Sequence, residues 1–217
     1  MWHNAAEEIP CKGMNRPMEV FGVVRPLVLT AELYADISGE TDPEELALMQ
    51  VQDRGVAEEV ADVLSDLYAI DTTLTVPRAD EGLDEPIGTV ADIRELRRIA
   101  AAIHGKTEDD YQEGRVAAGF AFNHLINHAE DSGYYVPVDF LQSFVVGDSS
   151  VGSAVALLRE LEMLDLVLAE MFPQEYNLAT NTPIEEYLEL PGPVGVWRAL
   201  RRLCQSAIDL DLPVQLG

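Results

Sequence analysis

Apolar residues recur at three- and four-residue spacing through most of the chain, a rhythm that predicts a mainly α protein. Thr41 or Asp42 can cap a first long helix. Pro43 suits its opening turn, Glu44 and Glu45 suit the positive end of its dipole, and good helix formers continue to about Ile70, with Gly55 as an expected break. A second helix is expected from Thr89 to His104. A third runs from Thr107 to about Asp131 and stops at Gly133, and its middle, VAAGFAFNHLINHA, is apolar on most sides, as in a central buried helix. The turn Gly147 to Ser150, with Asp148, Ser149 or Ser150 as cap, leads into a fourth helix through Phe172. Further helical pieces are expected at Ile184 to Leu188 and from Val194 to about Leu210.

Extended structure is sparser. Val20 to Leu29 is rich in β-branched residues but holds Pro26, which suits an edge strand or a buried extended run, and Tyr134 to Phe140 is a short strand marked by Pro137. Asp71 to Gly88, with two prolines and Gly82, reads as a loop. The expected fold is therefore about five substantial helices with two or three short edge strands, with an α+β arrangement left open. It forms one domain over residues 18–217 behind a polar arm at 1–17.

Composition supports a full core, since 47% of residues are hydrophobic. Cys11 and Cys204 lie near opposite ends without a CxxC partner and read as free thiols. The first twenty residues hold no continuous apolar segment, so neither a signal peptide nor a membrane anchor is expected there, and the cytoplasm is the expected compartment.

Charge changes the picture more. The formal net charge is -25, with 22 acidic and 9 basic residues up to Glu108 and 17 and 5 beyond it, so the excess is distributed. Such a field repels nucleic-acid phosphate and anionic membranes and draws basic proteins, so the expected partner is a basic protein and direct nucleic-acid binding is not expected. On the first long helix Glu58, Glu59, Asp62 and Asp66 gather opposite Val56, Val60, Val63, Leu64 and Leu67. Their i, i+4 row of like charges, relieved only by Arg54, is the candidate partner-binding face.

Three other motifs carry candidate chemistry. NHLINH sets His124 and His128 at i, i+4, a spacing that can bring two imidazoles to one zinc ion, though the HExxH glutamate of zinc peptidases is missing. Glu58, Glu59 and Asp62, with Glu162 and Asp165, resemble the paired acidic motifs with which all-helical nucleoside triphosphate pyrophosphohydrolases hold magnesium. Here, however, about a hundred residues separate the two. GDSSVGS has phosphate-loop glycine spacing but puts Ser153 and Ala154 where lysine and a hydroxyl residue belong, so a helix cap is the better reading. Arg198, Arg201 and Arg202 form a basic cluster near Trp197 suited to internal pairing or to an anion.

HAEDSGYYVPVDF followed by VGSxxxLLxEL resembles a pattern in uncharacterised bacterial proteins of high-GC genomes, over about a quarter of the chain. The setting of those proteins implies an immunity or inhibitor role. The leading expectation is thus a non-catalytic acidic module that neutralises a basic partner such as a toxin or nuclease and needs no cofactor. The alternative is a zinc- or magnesium-binding protein or metal-dependent hydrolase built on His124 and His128 or on the acidic motifs.

Overall fold

The structure is a computed structural model and describes residues 18–78, 80, 82–113, 115, 116 and 121–217. The expected arm at 1–17, and with it Cys11, lies outside the described residues. Strand β1 (Glu19–Val24) leads through helix α1 (Ala31–Ser38) to α2 (Pro43–Tyr68), then β2 (Asp84–Thr89), α3 (Val90–Ile103), α4 (Glu108–Gln112) and α5 (Asn123–Ile126). Strands β3 (Gly133–Val136), β4 (Phe144–Val146) and β5 (Ser149–Ser153) follow. The chain then continues through α6 (Ala154–Glu162), α7 (Asp165–Met171), α8 (Pro173–Asn181), α9 (Gly192–Leu210) and β6 (Val214–Leu216).

The six strands among the described residues join one sheet in the order β2-β1-β6-β3-β5-β4, antiparallel throughout except for the parallel pair β3 and β5. This corrects the expected mainly α fold: the molecule is α+β around a mixed sheet. The three-residue β6 sits between β1 and β3, so its strand character comes from two partners and not from a period of its own. β1 is likewise internal and not an edge, because Pro26 falls beyond its end. β2 arises inside the expected loop.

Alternation along the strands divides the core. Val20, Val24, Tyr135, Val214 and Leu216 face α3, α6 and α9, whose Leu96, Leu157, Leu161, Leu200 and Leu203 complete the main cluster. Val136, Val146 and Val151 face the other way, against Val60 and Leu64 of α2 and against Phe140. α9 is the pillar of the first layer, touching α3, α6, α8 and strands β1, β2 and β6. At the crossing to β3 a side chain on Gly133 (φ +101°) would place its Cβ 2.3 Å from the Ser150 carbonyl oxygen, so only glycine fits.

Helix boundaries differ from expectation where tertiary contacts intervene. α2 starts as expected, with the Asp42 side chain accepting from the Glu44 N–H at 2.8 Å, but runs through Gly55 unbroken. Its buried seam of Leu46, Ala57, Val60 and Leu64 offsets one poor helix former. α3 begins with the reciprocal Thr89–Asp92 capping box. The expected third helix is instead the two short helices α4 and α5, and the expected fourth is α6 and α7. Residues 184–188 are not helical. Gly147 and Asp148 are the turn of a β4–β5 hairpin, Ser149 and Ser150 already belong to β5, and the cap of α6 is Ser153, whose hydroxyl accepts from Ala156 N–H at 2.9 Å.

Candidate functional site

The acidic face of α2 stands as the period implied. Glu58, Glu59, Asp62 and Asp66 are all exposed, while Ala57, Val60 and Leu64 on the opposite side of the helix are buried. At 3.6 residues per turn and 1.5 Å per residue the four carboxylates occupy an arc of about 100° over about 12 Å of axis. Among the described residues none of the four forms an ion pair, and neither does the exposed Arg54. Like-charge crowding continues towards the start of the helix. There the side chain of Glu40 accepts from Thr41 and Asp42 N–H groups, and its hydrogen bond to Glu45 raises the Glu45 carboxyl above the ordinary range.

The two histidines are brought near one another but not to one point. α5 ends at Ile126, so His128 lies past the helix and the two rings turn to different neighbours. His124 Nδ1 accepts from Ser153 N–H at 3.1 Å and its Nε2 lies 3.0 Å from the Phe140 carbonyl; its ring meets Phe140 edge-on. His128 places Nδ1 and Nε2 each 3.0 Å from the carbonyls of Ala129 and Tyr134 and stacks on Tyr135. Every ring nitrogen thus faces a protein group, and a neutral His128 can donate to only one of its two carbonyls. Burial pushes both imidazoles down to about 4. Among the described residues no group of three or more His, Cys, Asp or Glu is placed to hold a metal ion. Glu162 and Asp165 lie on a different part of the molecule from α2, at the end of α6 and the start of α7.

Sequence reasoning missed the buried carboxylate beside His124. Glu160 of α6 accepts from His124 N–H at 3.0 Å and Leu125 N–H at 2.8 Å, closing the start of α5 from across the core. Desolvation pushes it up to about 8, against the opposing pull of those backbone donors. The only hint was its place in LLREL, on the apolar side of a helix. Cys204 is buried and free, as expected.

The arginines of α9 are consumed internally. Arg198 donates to the carbonyls of Ala179, Thr182, Pro183 and Glu186, tying down the segment before α9. Arg201 reaches Asp165 at 3.4 Å and lies 4.7 Å from the Trp197 ring centroid. Arg202 pairs with the buried Glu85 at 2.7 Å, and burial raises the Glu85 carboxyl despite Arg202. No arginine of this cluster is left over for an anion. Beside the edge strand β2, between it and residues 187–191, a cleft of about 640 Å³ is lined by Glu19, Glu85, Asp92 and Glu189 together with Phe21 and Tyr187.

Among the described residues no helix is long and apolar enough to cross a membrane. A family model described as "Putative DNA-mimic protein" matches residues 73–216, more than half of the chain. No curated protein and no solved structure matches. The match corrects the partner expected from net charge, a basic protein such as a toxin: a DNA mimic engages a protein whose own site is built for DNA.

Proposed function

The chain belongs to this DNA-mimic family, and from that premise we propose that it is a non-catalytic inhibitor whose acidic surface takes the place of DNA on a DNA-binding protein. The observation that carries the reading is the family match joined to a net charge of -25, a sign that opposes direct contact with nucleic acid and favours the surfaces that contact it.

The distribution of charge supports the same reading. On α2 the four carboxylates stand about 1.5, 4.5 and 6 Å apart along the axis, a mean of about 4 Å, against the about 3.4 Å per phosphate along one DNA strand. The family match begins at residue 73, so α2 precedes it in sequence. Its seam of Val60 and Leu64 nevertheless packs on Val136 and Val151 of the matched part, which fixes the row on the same body. We assign Glu58, Glu59, Asp62 and Asp66 to the mimicking surface.

Affinity capture from cells of the source organism tests the proposal. The retained proteins should be DNA-binding proteins, released by duplex oligonucleotide at constant ionic strength and by rising salt. Retained proteins that duplex DNA does not release would contradict it.

A further inference from the structure

The cleft beside β2 differs from the acidic surface at large in having a buried end. Glu85 is only 3% exposed; its Oε1 accepts from Arg202, while its Oε2 has no hydrogen-bond partner among the described residues. A buried carboxylate oxygen without a donor is costly, and it points to a donor that arrives from outside. Around it Glu19, Asp92 and Glu189 add three more carboxylates, Phe21 and Tyr187 add exposed rings, and among the described residues no lysine or arginine lines the cavity. At about 640 Å³ the cleft has room for a long side chain with its flanking backbone.

Carboxylates and aromatic rings in one enclosure suit a particular cation. A guanidinium is planar, weakly hydrated and carries five donors in a fork that matches carboxylates, and it stacks on aromatic faces. An ammonium keeps its water and lacks the plane. We propose that this cleft is the slot for an arginine side chain presented by the DNA-binding partner, a residue that would otherwise contact phosphate or a base edge. The assignment rests on the DNA-mimic reading for the identity of the partner, but the chemistry of the slot is separable from it. The guanidinium donates towards Glu85 and to the rim carboxylates Glu19 and Glu189, and its stem lies against Tyr187 and Phe21.

The test is a titration of the isotope-labelled full chain with N-acetyl-arginine amide, followed by amide chemical shifts. Saturable shifts centred on Gly88, Thr89, Tyr187 and Glu189 are expected, with at least tenfold weaker binding of N-acetyl-lysine amide. A Tyr187→Ala, Glu189→Gln variant, altered only at exposed positions, should lose at least tenfold in arginine affinity while keeping its melting temperature. Shifts that fail to saturate, that centre on α2, or that are equal for lysine would overturn the slot. If the cleft ignores arginine while the protein still displaces duplex DNA from a partner, the slot falls and the DNA-mimic reading stands. If arginine binds the cleft but no captured protein exchanges with duplex DNA, the reading falls and takes the identity of the partner with it.

Discussion

Helices α2 and α9 are the two longest among the described residues, and they handle charge in opposite ways. α9 carries three arginines on a largely buried helix and engages each one inside the protein, Arg198 with carbonyls, Arg201 with Asp165 and Arg202 with Glu85. α2 carries seven carboxylates and pairs none of Glu58, Glu59, Asp62 and Asp66 with a cation among the described residues. The arginines of α9 are spent on holding the fold while these four carboxylates of α2 are left to the surface, where a partner meets them. The difference separates residues whose loss should unfold the protein from residues whose loss should only blind it.

The largest effect should come from the α9 side. Arg202→Met leaves Glu85 buried without its partner and should cost about 3–5 kcal/mol in chemical denaturation, while the double change Glu85→Met, Arg202→Met should recover most of it. A loss under about 1 kcal/mol would mean that the pair is decorative.

Glu160 comes next. Glu160→Gln replaces one of two acceptors facing the His124 and Leu125 N–H groups and should cost about 1–3 kcal/mol. It should also change the pH profile. His124 and His128, depressed to about 4, take up protons in the unfolded chain before the folded one, so stability falls as pH drops below the ordinary histidine value. Glu160, raised to about 8, holds its proton better when folded, so the stability it contributes is lost as pH rises from the ordinary glutamate value through about 8. The two histidines outweigh the one glutamate below about pH 6.5. The melting temperature should therefore peak near that pH, and the alkaline limb should flatten in the Glu160→Gln variant. A monotonic rise from pH 5 to 8 would contradict this balance.

The smallest effect on stability belongs to α2. Asp62→Asn removes like-charge neighbours at i, i+4 and should stabilise by a few tenths of a kcal/mol at low salt, with the gain fading as salt rises. The same change should weaken partner binding, opposite in sign to its effect on the fold.

This contrast also explains what could be read from the chain. The acidic face and the caps at Asp42 and Thr89 were legible because a helix period and a capping residue are local properties. The sheet was not. β2 reads DEPIGT, with proline, glycine and two acids, and β6 is three residues whose neighbours in the sheet are 78 or more positions away. FVVGDSSV carries a hairpin signal, a two-residue Gly-Asp turn after an apolar β-forming run, where the sequence suggests only a turn leading into a helix. Glu85 and Glu160 were invisible for a different reason: a glutamate in sequence looks solvated, and only packing reveals one that is not.

The central claim is that this protein and DNA compete for one site. The most direct measurement follows the fluorescence anisotropy of a labelled duplex bound to a captured partner as the protein is added. The account predicts that anisotropy falls to that of free duplex. It also predicts that a Glu58→Gln, Glu59→Gln, Asp62→Asn, Asp66→Asn variant needs a much higher concentration to do the same. Anisotropy that rises instead, as duplex, partner and protein form one complex, would contradict it.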